Sequence, residues 1–339
     1  MIKIGIIGFG YWGPNLVRNF DAAEDAELCT ICDLDQSRLT LAKKLYPSAG
    51  VTTDTLSVLN SRVIDAIVVA TPVRSHASLG LAALQAGKHL FIEKPIAESS
   101  KQARELVFEA ENRNLRLMVD HTFIYTSAVN KIHELIKDGE LGDIYYYDST
   151  RINLGLYQSD VDVIWDLAVH DLSILSYILN ERPLTVSATG TNGIGRAMKD
   201  IAYVTLNFGS GLIAHINVNW LSPVKLRRTI IGGSRKMVIY DDLEPNEKIR
   251  IYDKGVTITT DPQRVHEMKI GYRNGDLLIP HLDNREALNT GVEHFLDCIR
   301  NEKTPKTDGR KGLQVVRMAE AASASMRAKG GLIELKSDD

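Results

Sequence analysis

The chain has 339 residues, and because one hydrophobic core rarely serves more than roughly 250 to 300 residues, two domains are expected. Hydrophobic residues make up 44% and charged residues 24%, with 25 Gly and 10 Pro, which excludes a disordered, collagen-like or low-complexity protein. Lys and Arg number 40 against 43 Asp and Glu, so the net charge of -3 gives no cationic field that would draw the chain onto nucleic acid or an anionic membrane.

The cysteines bear on compartment and metal binding. Cys29, Cys32 and Cys298 are too few for a disulfide framework. Cys29 and Cys32 form a C-x-x-C, but they lie in a strand pattern, where residues three apart point to opposite faces, so no zinc or redox pair is expected. No metal site is predicted. With no signal-peptide pattern at Met1 and no apolar run of about 20 residues, a cytoplasmic location is expected.

The first third of the chain alternates short β-branched runs with stretches of helical spacing. The predicted strands are Ile2–Ile7, Leu28–Cys32, Ala66–Ala70, His89–Ile92 and Leu115–Val119. This alternation is typical of βαβ units and therefore predicts a doubly wound parallel sheet, in a domain covering residues 1–121.

From about residue 143 the pattern changes to longer strands joined by short glycine-containing links. The predicted strands are Ile144–Asn153, Thr185–Gly190, Ala202–Phe208, Leu212–Val218, Arg227–Ile231 and Lys236–Tyr240, with a helix at Val163–Leu179. The tail is predicted to form helices at Arg285–Arg300 and Gly312–Lys329 and a last short strand at Leu332–Leu335. The overall prediction is an α/β protein whose second domain, residues 122–339, has an open, mostly antiparallel sheet; the tail helices could pack on either domain.

A glycine motif follows the first predicted strand. Gly8, Gly10 and Gly13 form G-x-G-x-x-G before a helix, and Asp33 ends the second strand 20 residues after Gly13. In dinucleotide sites these glycines allow a tight turn, close approach of a pyrophosphate and close helix packing, and the acid binds the ribose diol. The alternative is a plain βα turn with Asp33 capping the next helix.

The acid also bears on the choice of cofactor. A carboxylate at Asp33 would repel a 2′-phosphate, so NAD is favoured over NADP, although Arg38 is near enough in sequence to keep NADP open. The expected cofactor contacts are Gly8, Gly10, Tyr11, Trp12, Gly13, Asp33, Thr71, Pro72, His76, Glu93 and Lys94.

Two later segments add candidate chemistry at the carboxyl ends of strands, where open α/β sheets bind ligands. Thr71 and Pro72 with His76 follow the strand at Ala66–Ala70, and Glu93 and Lys94 follow the next. A desolvated lysine there would carry a proton or anchor a hydroxyl. The alternatives are a solvated surface lysine, and a His76 that only caps or fills its helix.

The helix predicted at Val163–Leu179 carries a second candidate pair. Asp166 and His170 are four residues apart and therefore lie on one helix face. An imidazole oriented by a carboxylate suits removal of a proton from an alcohol. The alternative for His170 is an ordinary helix histidine with satisfied hydrogen bonds.

Together these motifs resemble the Gfo/Idh/MocA family of NAD(P)-dependent sugar oxidoreductases over nearly the whole chain. The resemblance rests on the glycine motif, Ala70-Thr71-Pro72 with His76, Ala86-Gly87-Lys88-His89 leading into Glu93-Lys94-Pro95, and Asp166-x-x-x-His170. It implies an N-terminal Rossmann domain and a C-terminal α/β domain whose sheet often forms the interface of a homodimer or homotetramer. It also implies that Lys94, Asp166 and His170 are the catalytic residues.

Further stretches are similar to one branch of that family, which contains nucleotide-sugar 3-dehydrogenases such as those acting on UDP-N-acetylglucosamine. They are Gly10–Asn15, Arg151–Gly155, Trp165–Asp171 and Trp220–Arg227. Alternation along strands lets Arg151 and Asn153 share a face toward sugar hydroxyls, and Lys225 and Arg227 a face toward a diphosphate. The alternative for both pairs is a solvated sheet face or a subunit contact.

The resulting expectation is an enzyme that oxidises a secondary alcohol of a nucleotide-activated sugar at C3, or reduces the ketosugar, with substrate contacts from Lys94, Arg151, Asn153, Asp166, His170, Lys225 and Arg227. A first alternative is an inositol or free-sugar dehydrogenase. The segment before the D-x-x-x-H motif, which is glycine-rich elsewhere in the family, is Asp162-Val163-Ile164-Trp165 here, and this difference counts against that alternative. A second is a non-catalytic NAD-binding sensor. No nucleic-acid or membrane partner is expected.

Overall fold

The computed structural model describes residues 1–155, 161–195, 198–258 and 270–335. The chain forms two compact units, one made of Met1–Thr126 with Arg285–Arg317 and the other of Ser127–Asn284 with Met318–Asp339. Its helices are α1 (Gly13–Ala22), α2 (Gln36–Leu45), α3 (Thr55–Leu59), α4 (His76–Gln85), α5 (Ser100–Asn112), α6 (Ser127–Lys137), α7 (Val169–Ile178), α8 (Ala287–Arg300) and α9 (Gly309–Arg327).

The first unit is built on a parallel sheet. Its strands are β1 (Ile2–Ile7), β2 (Ala26–Cys32), β3 (Gly50–Thr52), β4 (Ala66–Val69), β5 (His89–Glu93) and β6 (Leu117–Asp120). They pair in the order β3-β2-β1-β4-β5-β6, each parallel to its neighbours. The strand order reverses beside β1, which places a ligand-binding crevice at the carboxyl ends of β1 and β4.

The core of the first unit includes residues from both of its chain segments. The apolar spacing of α1 buries Leu16, Val17 and Phe20 against the sheet. The Phe20 ring meets the edge of Phe91 on β5 at 5.5 Å between centroids, and Phe295 on α8 lies 5.4 Å from Phe91. Such edge-to-face pairs add about 0.5–1.5 kcal/mol each beyond their buried area.

The second unit is built on a mixed sheet. Its strands are β7 (Ile144–Leu154), β8 (Pro183–Thr191), β9 (Ile201–Phe208), β10 (Ile213–Asn219), β11 (Leu221–Gly233), β12 (Met237–Asp241), β13 (Ile249–Ile258), β14 (Ile270–Leu278) and β15 (Ile333–Glu334). The order is β14-β13-β12-β11-β7-β10-β9-β8-β15; β7 and β10 run parallel and the other neighbours antiparallel. Alternate residues of β9 and β10 are buried, as a sheet with one covered face requires.

The predicted α/β class, with a parallel sheet followed by a mostly antiparallel one, is confirmed. The strands β3, β13 and β14 were not predicted. β3 has only three residues, and β14 contains Asn274-Gly275, a pair that usually marks a hairpin turn but here lies at an irregularity in the pairing with β13. The helix predicted at Val163–Leu179 is present, as a π-helical turn, Ile164–Ala168, continued by α7. Within the described ranges, no helix is long and apolar enough to cross a membrane.

Candidate functional site

The three glycines of the first turn differ in what the fold demands of them. A Cβ on Gly8, whose φ is +106°, would lie 2.5 Å from the carbonyl oxygen of Ala70, and one on Gly13 would lie 2.3 Å from that of Gly8. A Cβ on Gly10 would meet only the tip of the Arg38 side chain, at 3.4 Å. The fold itself thus requires Gly8 and Gly13, whereas the absence of a side chain at Gly10 leaves room for a group outside the chain.

The Asp33 carboxylate lies at the end of β2 and is bound to this turn. Its Oδ2 accepts a hydrogen bond from the backbone N–H of Phe9 at 2.6 Å, and its Oδ1 accepts one from that of Asp35 at 2.9 Å. The guanidinium of Arg38 is 3.5 Å from Oδ2. Asp33 is therefore an oriented acid beside the glycine turn, with one cation next to it.

These features fit a dinucleotide. The side chain of Tyr11 is exposed and that of Trp12 partly exposed, directly before α1, whose first turn carries no acidic residue. A helix start without acidic side chains attracts phosphate, and the space at Gly10 allows the pyrophosphate to approach the backbone. The residues that would hold NAD are thus the glycine turn, the start of α1 and Asp33.

His76 links the two loops that follow β4 and β5. It is 1% exposed, and its Nδ1 and Nε2 each lie 2.8 Å from a backbone oxygen, that of Pro95 and that of Thr71. Burial lowers the pKa of the imidazole, and because a neutral ring carries one N–H, it donates to one of these oxygens at a time. The geometry assigns His76 to holding the loops together, while its predicted cofactor contact and those of Thr71 and Pro72 stay predictions.

Lys94 directly follows Glu93, one of two carboxyl residues at the ends of adjacent strands. Glu93 of β5 and Asp120 of β6 are register partners. Burial and the neighbouring Asp120 raise the pKa of Glu93 well above its usual range, and burial also raises that of Asp120. Asp120 accepts hydrogen bonds from Trp12 Nε1 at 3.4 Å and Thr122 Oγ1 at 2.8 Å. Lys94 is half-buried, and its charge opposes the rise in the pKa of both carboxyl groups; its predicted catalytic and cofactor roles stay predictions.

Asp120 and His121 were not predicted from the sequence as site residues. The signal was present, because both lie at the carboxyl end of β6, the sheet edge that carries the other candidates. His121 is 1% exposed, and within the part of the chain that the structure describes neither ring nitrogen has a hydrogen-bond partner. Burial, with the charge of Lys94, lowers its pKa to about 3, so the ring is neutral at physiological pH.

In the second unit, Asp166 lies on the π-helical turn that precedes α7. Its Oδ2 accepts a hydrogen bond from the indole Nε1 of Trp220 at 3.1 Å. The neighbouring indole, that of Trp165, donates instead to Ser323 Oγ at 3.0 Å. π-helical turns occur frequently at functional sites, and this one places Asp166 about one turn before His170 in the first turn of α7.

The residue after His170 anchors α7 to the sheet. Asp171 is 1% exposed, and its carboxylate accepts hydrogen bonds from Arg151 Nε at 2.8 Å and Nη2 at 3.2 Å and from Ser149 Oγ at 2.7 Å. Arg151 is itself 4% exposed. The predicted sugar contact of Arg151 stays a prediction; what the geometry supports is an ion pair that fixes α7, whereas Asn153, two residues on, is half-buried.

The predicted diphosphate pair lies on β11. Its pairing with β7 is irregular between Leu221 and Leu226, so strict alternation does not extend from Lys225 to Arg227. Lys225 is exposed, and Arg227 Nη1 donates to Asp242 Oδ2 at 3.2 Å. Diphosphate binding by this pair stays a prediction.

In the described parts of the chain, no three His, Cys, Asp or Glu side chains are placed together to hold a metal ion. Cys29, Cys32 and Cys298 are free thiols, and burial raises the pKa of each.

Comparison with known proteins identifies relatives along the whole chain. It is 25% identical to D-apiose dehydrogenase of Paraburkholderia graminis, over 99% of this chain and 90% of that one. It is 26% identical to UDP-N-acetylglucosamine 3-dehydrogenase of Acidithiobacillus ferrooxidans, over 94% and 95%, and 24% identical to myo-inositol 2-dehydrogenase of Thermotoga maritima, over 97% of each.

Solved structures share the fold. The UDP-N-acetylglucosamine 3-dehydrogenase GnnA from Acidithiobacillus ferrooxidans aligns with a TM-score of 0.81 at 24% identity, over 96% of this chain and 98% of that one. The WlbA dehydrogenase from Bordetella pertussis, solved in complex with NADH and UDP-GlcNAcA, aligns with a TM-score of 0.82 at 22% identity, over 99% and 98%.

The family assignment rests on both units. The NAD-binding Rossmann domain of the Gfo/Idh/MocA oxidoreductase family matches residues 2–121, and that family's C-terminal alpha/beta domain matches residues 133–335. The resemblance stated from the motifs is thereby confirmed. The chain belongs to the Gfo/Idh/MocA family and is an oxidoreductase with an NAD-binding Rossmann domain.

Proposed function

We propose that this enzyme oxidises a secondary alcohol, at C3 of a nucleotide-activated sugar such as UDP-N-acetylglucosamine, to the 3-keto sugar, or catalyses the reverse reduction. The observation that carries the proposal is the Asp166 carboxylate, held by Trp220 about one turn before His170. A carboxylate that orients an imidazole suits abstraction of a proton from an alcohol. Lys94, on the first unit, supplies the cation of the proposed set.

The proposed chemistry divides between these residues. His170 accepts the proton of the hydroxyl group while the carbon–hydrogen bond breaks and the C=O bond forms. Bound NAD supplies the hydride acceptor. Lys94 donates a hydrogen bond to the same oxygen and stabilises its developing negative charge, and Asp166 orients His170 or binds a neighbouring hydroxyl. In the reverse direction, His170 returns the proton to the ketone oxygen.

The choice of a nucleotide sugar rests on the relatives and on β11. One of the similar proteins above is named as a UDP-N-acetylglucosamine 3-dehydrogenase, and the WlbA dehydrogenase was solved in complex with UDP-GlcNAcA. The exposed Lys225 and the guanidinium of Arg227 supply cations for a diphosphate. The second candidate is a free polyol, because myo-inositol 2-dehydrogenase is nearly as similar.

The test is NADH formation by the purified protein with NAD and a panel of nucleotide sugars, free sugars and inositols. Turnover confined to UDP-sugars supports the proposal, and turnover with unactivated polyols alone replaces it with the second candidate. Tight NAD binding without turnover in either direction would indicate a sensor.

A matched pair of variants then tests the residue roles. His170→Asn is expected to lower kcat by about 10²- to 10⁴-fold, because it removes the positioned proton acceptor. His215→Asn changes a half-exposed histidine on β10 and is expected to leave kcat unchanged. NAD affinity should be the same in both variants, and an unchanged kcat for His170→Asn would remove that residue from the mechanism.

A further inference from the structure

Trp220 is held rigidly at the junction of β10 and β11. The side chain is 1% exposed. The backbone N–H donates to the backbone oxygen of Asp200 at 2.9 Å, and the backbone oxygen accepts from the N–H of Gly155 at 3.1 Å. A Cβ on Gly155 would lie 2.9 Å from the indole ring, so glycine at this position lets the ring take its place. The indole N–H is therefore a donor whose direction is set before any ligand arrives.

The acceptor of this donor is the carboxylate of Asp166, at 3.1 Å from Trp220 Nε1. A carboxylate on a single turn has several rotamers, and a fixed donor on one oxygen selects among them. The preceding residue, Trp165, has its own indole bound to Ser323, so two adjacent positions on the same turn are each fixed by an indole hydrogen bond. Of these two indole hydrogen bonds, the one from Trp220 is the one that binds a member of the proposed pair Asp166 and His170.

We infer that Trp220 is a positioning residue, whose indole N–H holds the Asp166 carboxylate in the orientation that His170 or a substrate hydroxyl requires. The inference deepens the proposed function and rests on it for the role of Asp166. Loss of a hydrogen bond to a charged group of this kind lowers catalysis by about 10- to 100-fold when the group must be oriented in the transition state.

The first test is spectroscopic and needs no substrate. The chain has three tryptophans, Trp12, Trp165 and Trp220, so ¹⁵N-tryptophan labelling of the full chain gives three indole N–H signals, each assigned by a Trp→Phe variant. Asp166→Ala removes the acceptor and is expected to shift the Trp220 signal upfield, while the Trp12 signal of the first unit stays in place. Asp166→Asn, which keeps the size of the side chain, is expected to shift it less in the same direction. A Trp220 signal unmoved in both variants would overturn the inference.

The second test is kinetic and uses a matched pair. Trp220→Phe and Trp165→Phe both replace an indole ring by a phenyl ring, but only the first removes the donor to Asp166. With UDP-N-acetylglucosamine and NAD, Trp220→Phe is expected to lower kcat by about 10- to 100-fold with a much smaller change in KM, and Trp165→Phe to leave kcat near that of the unmodified chain. Equal kcat values for the two variants would overturn the inference.

The two tests separate this inference from the proposed function. If neither the unmodified chain nor any variant acts on the panel, the proposed function fails, and the indole signals still decide whether Trp220 holds Asp166. If the panel gives turnover and the Trp220 signal responds to Asp166→Ala but kcat does not respond to Trp220→Phe, the function stands and the positioning role is refuted.

Discussion

The buried ion pair between Arg151 and Asp171 gives the sharpest prediction of stability. Arg151→Met keeps the volume of the side chain but leaves Asp171 charged in an interior where both residues are at most 4% exposed. Removing one partner of such a pair typically costs about 3–5 kcal/mol, because the remaining charge is desolvated without compensation. For a unit of this size that corresponds to a fall of roughly 6–20 °C in the unfolding temperature of the second unit.

Calorimetry measures the effect, and in a Trp12→Phe background the fluorescence of Trp165 and Trp220 reports unfolding of the second unit. Lys236→Met is the control, since it breaks a partly exposed pair with Glu140, 2.7 Å apart, and should cost at most about 1 kcal/mol. The double variant Arg151→Met with Asp171→Leu removes both charges and should recover most of the loss. A cost for Arg151→Met no larger than that of Lys236→Met would refute the reasoning.

Three further predictions concern the first unit. His121 has a pKa of about 3 in the folded protein against an ordinary value near 6.5, so the unfolded chain binds the extra proton and stability falls as pH drops below about 6.5, by up to about 1.4 kcal/mol per pH unit. The free energy of unfolding of His121→Gln, measured with urea, should lack this contribution. If the difference in free energy of unfolding between wild type and variant is the same at pH 7.5 and 5.5, both about one unit from 6.5, the prediction is contradicted. Asp33→Asn should weaken NADH binding by at least about tenfold and NADPH binding less, as measured by fluorescence titration; equal losses would refute the role of its charge. Gly13→Ala should lower the melting temperature, because its Cβ meets a backbone oxygen at 2.3 Å, whereas Gly10→Ala should leave melting unchanged and weaken NADH binding, and intact binding would show that the space at Gly10 serves another purpose.

Sequence alone predicted the features that depend on local pattern. Short apolar runs predicted the parallel strands, and the spacing of the glycines predicted the turn, because both features are set by residues close together in the chain. The oriented carboxylate of Asp33 also lies where the spacing from Gly13 placed it.

Contacts between segments distant in the chain could not be predicted from the local sequence pattern. Strand alternation predicted a ligand contact for Arg151 but not its ion pair with Asp171, 20 residues away, because no periodicity specifies which face of β7 a helix will cover. Trp220 lies 54 residues from Asp166, and its role depends on how β10 and β11 meet the π-helical turn. The irregular pairing of β11 between Leu221 and Leu226 likewise leaves Lys225 outside the regular alternation to which Arg227 belongs.

The aromatic contact of Phe295 with Phe20 and Phe91 has a consequence for biosynthesis. The first unit begins at the N-terminus, yet the helix that carries Phe295 is translated only after Ser127–Asn284, the larger part of the second unit. Domains usually fold as they leave the ribosome, starting from the N-terminal one. Here the nascent first unit keeps part of its core open while Ser127–Asn284 is made, and the second unit in turn needs Met318–Asp339, so each unit is completed only by a segment that is translated after Asn284.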